Sequence, residues 1–236
     1  LIGLVGSEMC IRDSINAADY GRAQRRRRVF FFVFRNDTKW GKRLHTKYEA
    51  TLANDADLNA RLECYAPYIF EDGLFGRQFP VKGEAVKKRI NANKLDEDIA
   101  EVSANFSDGK MWNSGLMTNG YYYTIETEPK GDEEPIPMKK IVVKENQVPE
   151  DYYVDGEKLE KFKYLRGPKK ITRTAANGHT YTFSEGGMSE YDSLELPGRT
   201  MLTSEGSVNR STHLLKIDGK YRLITPIEAE RLQDLS

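Results

Sequence analysis

Cysteine is nearly missing from this 236-residue chain, which has Cys10 and Cys64, and histidine is confined to His45, His179 and His213. Two distant cysteines exclude a disulfide framework and a cysteine-rich zinc site, and three scattered histidines lack metal-ligand spacing, so no metal is expected. That usage fits a reduced, cytoplasmic compartment. An excess of charge of either sign is lacking too. The 36 basic and 36 acidic side chains cancel at a sequence pI near 7.0, which rules out a general polycationic coat; phosphate must be met by local clusters. No apolar run approaches the roughly 18 to 20 residues that cross a bilayer. With 39% apolar and 31% charged residues, the chain has the makeup of one ordinary domain, or a domain and a half, with a core of its own.

The first residue is Leu1, with no charged leader and no small-residue cleavage site, so no signal peptide is read there. Residues 4–14, LVGSEMCIRDS, resemble a translated sequencing-library adapter. Residues 1–14 are therefore expected to be non-native and to stand outside the fold, Cys10 included.

Further along, the continuous apolar run at residues 29–34 predicts a central strand buried on both faces. Apolar residues at helical spacing predict helices over 44–62 and 83–106, the latter carried by Val86, Ile90, Leu95, Ile99 and Val102. Strands are predicted at 121–125 and 141–143, on either side of an acidic, proline-containing loop. The triplet Tyr121-Tyr122-Tyr123 suits core and cross-strand packing, Cys64 an ordinary thiol on a helix, and His179 and His213 structural roles. Residues 162–173 read as a basic loop with a Gly167-Pro168 turn. Ser184-Glu185-Gly186-Gly187 is echoed by Ser204-Glu205-Gly206-Ser207. Thr225, Pro226 and Glu228 place a capping box and a first-turn proline at the start of a closing helix.

The densest charge is Arg22 with Arg25, Arg26, Arg27 and Arg28, directly before the apolar run. If strand alternation starts within it, Arg26 and Arg28 share one face and Arg25 and Arg27 the other. Guanidinium groups suit bidentate contact with phosphate oxygens and base edges. Composition alone favours a solvated basic edge or a localisation signal.

The surrounding residues decide between these readings. Asn16-Ala17-Ala18-Asp19-Tyr20-Gly21 followed by Gln24-Arg25-Arg26-Arg27-Arg28-Val29-Phe30 resembles the eighth conserved motif of the DNA cytosine-5 methyltransferases, with its Gln-Arg-Arg-x-Arg core before an apolar strand. Arg222-Leu223-Ile224-Thr225-Pro226-Ile227-Glu228 through Arg231-Leu232-Gln233 is similar to their ninth motif, and residues 199–215 look like the segment that precedes it in bacterial restriction-modification enzymes. Arg27 stands where Glu is common, and Arg22-Ala23 where an apolar residue and Pro are common; both departures fall between core positions.

The resemblance implies an α/β fold: the tail of a Rossmann-like, S-adenosylmethionine-dependent methyltransferase domain plus a smaller α+β target-recognition domain. Its boundaries would be 15–38 for the end of the catalytic domain, 39–220 for target recognition, and 221–236 for the returning ninth-motif helix. It assigns Arg28 to the exocyclic oxygen of a cytosine flipped out of duplex DNA, Arg26 to support of the active site and DNA backbone, and Gln24 to positioning the strand. Arg222, Thr225, Pro226, Glu228 and Arg231 form the ninth-motif framework. A cation placed where negative charge develops on the ring stabilises the transition state, and pocket contacts offset the cost of flipping. The family's nucleophile follows a proline, and neither cysteine here does; a Glu-Asn-Val segment and the glycine-rich cofactor turn are also missing. Those motifs are expected upstream and the tenth motif downstream, Asp234-Leu235-Ser236 standing where Gly-Phe-Pro usually follows. The chain by itself is thus expected to be inactive.

In the recognition region, Lys163, Arg166, Lys169, Lys170 and Arg173 are candidate phosphate contacts, and Asn209, Arg210, Ser211 and Thr212 candidate base readers. The implied partners are double-stranded DNA and a cognate restriction endonuclease in a bacterial cytoplasm, with no membrane and no obligate oligomer. The rival expectation is a non-catalytic, sequence-specific DNA-binding subunit of a split methyltransferase.

Overall fold

The computed structural model describes residues 8–50, 52–53, 56–94, 100–101 and 111–235, with the side chains of residues 8–12 left aside. The chain separates into two compact units, Leu1–Tyr20 with Arg27–Glu133, and Gly21–Arg26 with Glu134–Ser236. These boundaries differ from the 15–38, 39–220 and 221–236 division expected from the motifs. Both units mix helices with sheets, and every ladder between strands is antiparallel. Among the described residues no helix is long and apolar enough to cross a membrane.

The first unit is built on a five-stranded sheet of β1 (Glu8–Asn16), β2 (Arg27–Arg35), β3 (Ile90–Lys94), β4 (Ser114–Thr118) and β5 (Tyr121–Ile125), in the order β2-β1-β4-β5-β3. Asn119 and Gly120 join β4 to β5 with both φ angles positive, the conformation that a two-residue hairpin turn requires and that Asn-Gly adopts at little cost. One sheet face is covered by α1 (Lys39–Leu44), α2 (Leu58–Pro67) and α3 (Leu74–Gln78), with π-helical turns at His45–Glu49 and Tyr68–Asp72. Thr38 caps α1 by accepting from the Gly41 N–H at 3.1 Å, and Asp57 caps α2 through Ala60 at 2.8 Å. Leu44, Tyr48, Leu62, Tyr65, Tyr68 and Ile69 thereby meet Leu116, Tyr123 and Ile125 in one core. Tyr121 and Tyr123 share that face as expected: Tyr123 stacks on Tyr65 with centroids 5.6 Å apart, and the Arg61 guanidinium lies 4.8 Å from the centre of Tyr121.

Several sequence expectations for this unit are corrected. The helix expected at 44–62 begins earlier, breaks after Glu49 and restarts at the Asp57 cap. Over residues 83–94 the helix expected at 83–106 is replaced by a short turn, Val86–Lys88, and by β3, whose Ile90 faces Ile125 across the ladder, whereas Ala100 and Glu101 are helical. The four-residue spacing of Val86 and Ile90 fits a helix, but the free edge of β5 supplies hydrogen-bond partners that override it. Leu95, Ile99 and Val102 lie outside the described residues.

Residues 29–34 do form a strand, but an edge strand rather than one buried on both faces. Phe30 reaches Phe75, while Phe32 and Phe34 pack on Trp40, all on the helix-covered side. Val29, Phe31 and Val33 alternate to the other face and remain 46%, 47% and 42% exposed. A run apolar at every position matches a sheet covered twice, and here one cover is present. The neighbour of β2 is β1, paired from Glu8↔Arg35 to Asn16↔Arg27, so the segment set aside as foreign supplies an interior strand.

The second unit holds α4 (Gly156–Arg166), the hairpin β6 (Lys169–Thr174) and β7 (Thr180–Glu185), the hairpin β8 (Leu214–Ile217) and β9 (Lys220–Leu223), and α5 (Pro226–Leu232). Residues 162–173 are thus the end of a helix and a strand, not a loop. The strand expected at 141–143 is a turn following the 3-10 segment Met138–Lys140, because Met138 and Ile141 are drawn into a core with Ala23, Leu215, Ile224 and Leu232. Val154, Phe162, Leu214 and Leu223 form a second cluster.

Truncating Tyr65 to alanine removes the ring shared by Tyr48 and Tyr123, and a loss of about 3–5 kcal/mol in first-unit stability is expected. Phe31→Thr on the uncovered face should shift it by about 0.5 kcal/mol or less. Urea unfolding of the two variants against the parent chain distinguishes these outcomes.

Candidate nucleic-acid interface

The arginine run is held by its backbone. Ala23 and Gln24 are buried, and Gln24 forms an isolated parallel bridge with Gly198. The Gly198 N–H donates to the Ala23 carbonyl at 2.7 Å, the Arg25 N–H donates to the Gly198 carbonyl at 2.7 Å, and the Thr200 hydroxyl donates to the Arg25 carbonyl at 2.8 Å. The Gln24 amide donates to the Leu232 carbonyl at the end of α5 and accepts from Arg26 Nη1, both at 3.4 Å. Gly198 has no room for a side chain: a Cβ there would stand 2.6 Å from Leu232 Cδ1 and 2.9 Å from Met138 Sδ.

Arg25 is therefore exposed and Arg26 half-buried on a pinned segment, while Arg27 and Arg28 are exposed at the start of β2. Strand alternation begins at Arg27, one to two residues later than the pairing of Arg26 with Arg28 requires. Arg28 Nη1 donates to the Arg27 carbonyl at 2.8 Å, and Arg28 makes no ion pair among the described residues.

At the other end, α5 begins with the expected capping box. Thr225 Oγ1 accepts from the Glu228 N–H at 3.4 Å, and the Glu228 carboxylate accepts from the Thr225 N–H at 2.7 Å, with Pro226 in the first turn. Glu228 is completely buried and takes a bidentate pair from Arg222, Nη1 at 2.9 Å and Nη2 at 2.8 Å, plus the Val143 N–H at 2.8 Å. Arg222 also donates to Glu145 at 3.0 Å, and Arg231 to the Ile141 carbonyl at 3.0 Å. Burial alone would raise the Glu228 pKa; Arg222 and two backbone N–H groups outweigh it and hold the carboxyl below its ordinary value. These side chains face inward and build the frame that ends at the Leu232 carbonyl.

The candidate DNA contacts divide sharply. Arg166 is buried, donating to Asp192 at 2.8 Å, to the Thr212 carbonyl at 2.6 Å, and to the Ser189 and Glu190 carbonyls. Arg199 closes the other side of Asp192 at 2.5 Å, and the Leu214 N–H donates to the same carboxylate at 2.9 Å. Burial opposes ionisation of Asp192, but the two guanidinium groups dominate and hold it far below the usual carboxylate range. Arg166 is therefore a structural cation and cannot reach phosphate. Lys169 is committed to Glu185 at 3.1 Å and to the Leu165 carbonyl at 2.7 Å, and Lys163 pairs with Glu160 at 2.9 Å. Lys170 and Arg173 are exposed on β6.

The expected base readers at 209–212 are likewise engaged internally. Asn209 Oδ1 accepts from the Ser211 and Thr212 N–H groups at 2.8 and 3.0 Å, Thr212 donates to the Ser207 carbonyl at 2.6 Å, and Arg210 pairs with Glu185 at 2.6 Å. A short polar cluster in sequence satisfied its own loop before it could face a ligand. The two Ser-Glu-Gly echoes are not a structural repeat: Glu185 ends a strand, whereas Glu205 accepts from the His213 N–H at 2.6 Å. His213 is buried, and His179 sits exposed in the β6–β7 turn. Cys64 lies half-buried on α2, where burial pushes its thiol pKa up, away from reactivity. No group of three or more potential ligands for a metal occurs among the described residues.

Gly198, Thr200, Asp192 and Glu145 went unnoticed in the sequence. Pro197-Gly198 is a turn signal that could have been read; a lone Asp192 carries no local sign of its two distant arginines.

Arg222→Met should cost the second unit about 3–5 kcal/mol by leaving Glu228 buried without its partner, and adding Glu228→Leu should restore much of the loss. Gly198→Ala should cost about 1–3 kcal/mol through overpacking. Because the folded pKa values of Asp192 and Glu228 are depressed, their contribution is complete above the unfolded carboxylate pKa of about 4 and declines as pH falls through the lower folded values. Thermal melts at neutral pH and at stepwise lower pH should show that decline on the acid side only.

Comparison with known proteins identifies the family. The family model described as C-5 cytosine-specific DNA methylase matches residues 12–235. The chain is 49% identical over 218 residues to the Type II methyltransferase M.Sau3AI of Staphylococcus aureus, covering 92% of this chain and 48% of that relative. It thus spans about half the length of the curated relative. No solved structure matches. A family match across residues 12–235 establishes that the chain belongs to the C-5 cytosine-specific DNA methylase family.

Proposed function

We propose that the protein to which this chain belongs methylates carbon 5 of a cytosine flipped out of a specific duplex DNA site, and that this chain carries its eighth motif, target-recognition region and ninth motif. The observation that carries the reading is the clamp of Gln24 and Arg25 between Gly198 and the Leu232 carbonyl, which joins segments about two hundred positions apart. The likeness to M.Sau3AI supports a restriction-modification setting with a cognate endonuclease, in a bacterial cytoplasm.

Arg28, exposed and without an acidic partner among the described residues, is free to meet the cytosine's exocyclic oxygen, where negative charge develops after attack on carbon 6. Arg26, fixed through Gln24, supports the DNA backbone and the pocket. Neither cysteine follows a proline, so the attacking thiolate comes from outside these 236 residues. S-adenosylmethionine is the family's methyl donor, but the described residues do not fit it. A cavity in the first unit, about 190 Å³, is lined by Asp13, Asp19, Tyr20, Arg27 and Glu126, and lies below the roughly 300–1,000 Å³ of sites for ligands of that size. Burial and the carboxylates of Asp13 and Asp19 push the Tyr20 phenol up to about 12, and no glycine-rich turn lines the cavity. The Rossmann-like sheet of the catalytic domain is accordingly assigned to the part of the protein that this chain does not contain.

A second reading, a recognition subunit acting with a separate catalytic polypeptide, draws on the same coverage of half a relative. It requires methyl transfer to appear when a chain bearing the Pro-Cys nucleophile is mixed with this one.

The purified 236-residue chain is expected to incorporate no labelled methyl group into DNA; incorporation would sink the assignment of the nucleophile. In the complete protein, Arg28→Ala should lower the methylation rate about 10²–10³-fold and DNA affinity by less than about tenfold. Equal losses in single-turnover rate and affinity would remove Arg28 from the chemistry.

A further inference from the structure

The β6–β7 hairpin stands apart from the cores of its unit, and most of its side chains are exposed on both faces. A two-stranded ribbon is marginal by itself, and this one is secured at its base. Lys169 pairs with Glu185, Arg210 pairs with the same Glu185, and Arg166 accepts through its carbonyl from the Met188 N–H at 2.9 Å. Toward the tip, the Ala175 N–H donates to the His179 carbonyl at 2.8 Å, and Gly178 takes a φ of 81° that closes the turn.

The two faces differ in chemistry. Ladder pairs Lys170↔Ser184, Thr172↔Thr182 and Thr174↔Thr180 put five hydroxyls and one ammonium on a single face, all exposed. The opposite face carries Ile171↔Phe183 and Arg173↔Tyr181, with the Arg173 guanidinium 4.0 Å from the Phe183 ring centre. Residues 168–184 contain no acid, although the whole chain is neutral.

Resting on the reading of this chain as the recognition part of a DNA methyltransferase, we propose that the β6–β7 ribbon enters the major groove of the target duplex and reads base edges with its hydroxyl face, Thr172 and Thr182 at the centre. The dimensions agree: two strands about 4.8 Å apart and about 20 Å long fit a groove about 12 Å wide that admits a two-stranded ribbon. Each hydroxyl both donates and accepts, and the threonine methyl can pack on the methyl of thymine. Lys170 and Arg173, on opposite faces, meet the phosphates of the two groove walls. The aromatic face with its stacked Arg173 stiffens the ribbon. The ion pairs at its base make Arg166, Lys169 and Arg210 supports of the reader rather than contacts.

The test selects sequences from a randomised duplex library with the 236-residue chain. Thr172→Val with Thr182→Val keeps strand propensity and removes two hydroxyls; it should flatten the preference at two or three adjacent positions by about tenfold each, with the salt dependence unchanged. Lys170→Ala with Arg173→Ala should keep the selected motif, weaken binding to every duplex, and reduce the slope of log K against log salt by about 1–2. Thermal melts matching the parent chain establish that each variant is folded. Selection of the parent's motif at full strength by the valine variant overturns the ribbon assignment while leaving the family reading intact. A parent chain that selects no duplex, or prefers single-stranded RNA, overturns the proposed function and the ribbon with it.

Discussion

The second unit depends on the buried pair of Arg222 and Glu228. Neither has access to water, and the carboxylate is satisfied by two guanidinium N–H groups and by the backbone of Thr225 and Val143. Removing two charges from water costs several kcal/mol for each ion, and good geometry returns little more than that. The pair therefore contributes selection among arrangements more than net stability. It sets where α5 leaves β9, hence where the Leu232 carbonyl lies, and Gln24 is held by that carbonyl. Asp192, with Arg166 and Arg199, does the same work between α4 and β8.

What could be read in advance was local or motif-based. The capping box of α5 depends on three residues within four positions, and it is present as expected. Tyr121 and Tyr123 show strand periodicity over a span too short to mislead. The family likewise rests on short, dense patterns around Gln24 and Arg222. The failures are long-range. Residues 29–34 say that both sides of a strand are apolar, but cannot say how many covers are present. Val86 and Ile90 fit a helix until β5 offers them an edge. Arg166 looks like its neighbours Lys163 and Lys170 in sequence, and only Asp192, twenty-six residues away, shows that it is interior.

The same contrast holds for the polar segments of the second unit. Asn209 to Thr212 carry the side chains that suit base edges, yet a compact polar loop consumes them in holding itself closed. The β6–β7 ribbon drew notice for its cations, whereas its more distinctive property, hydroxyls in register on one face, becomes visible only once Thr172 is known to lie opposite Thr182. Charge is legible in a sequence; register is not.

The second unit is discontinuous in the chain, with Gly21–Arg26 stitched onto Glu134–Ser236. During synthesis the arginine segment emerges more than a hundred residues before Gly198 and Leu232, the groups that fix it. Closing so long a loop adds little to the equilibrium cost, because that cost grows only with the logarithm of length, but it imposes an order of events. Gln24 and Arg25 are thus made well before the groups that hold them, and are set in place only once Gly198 and Leu232 have followed.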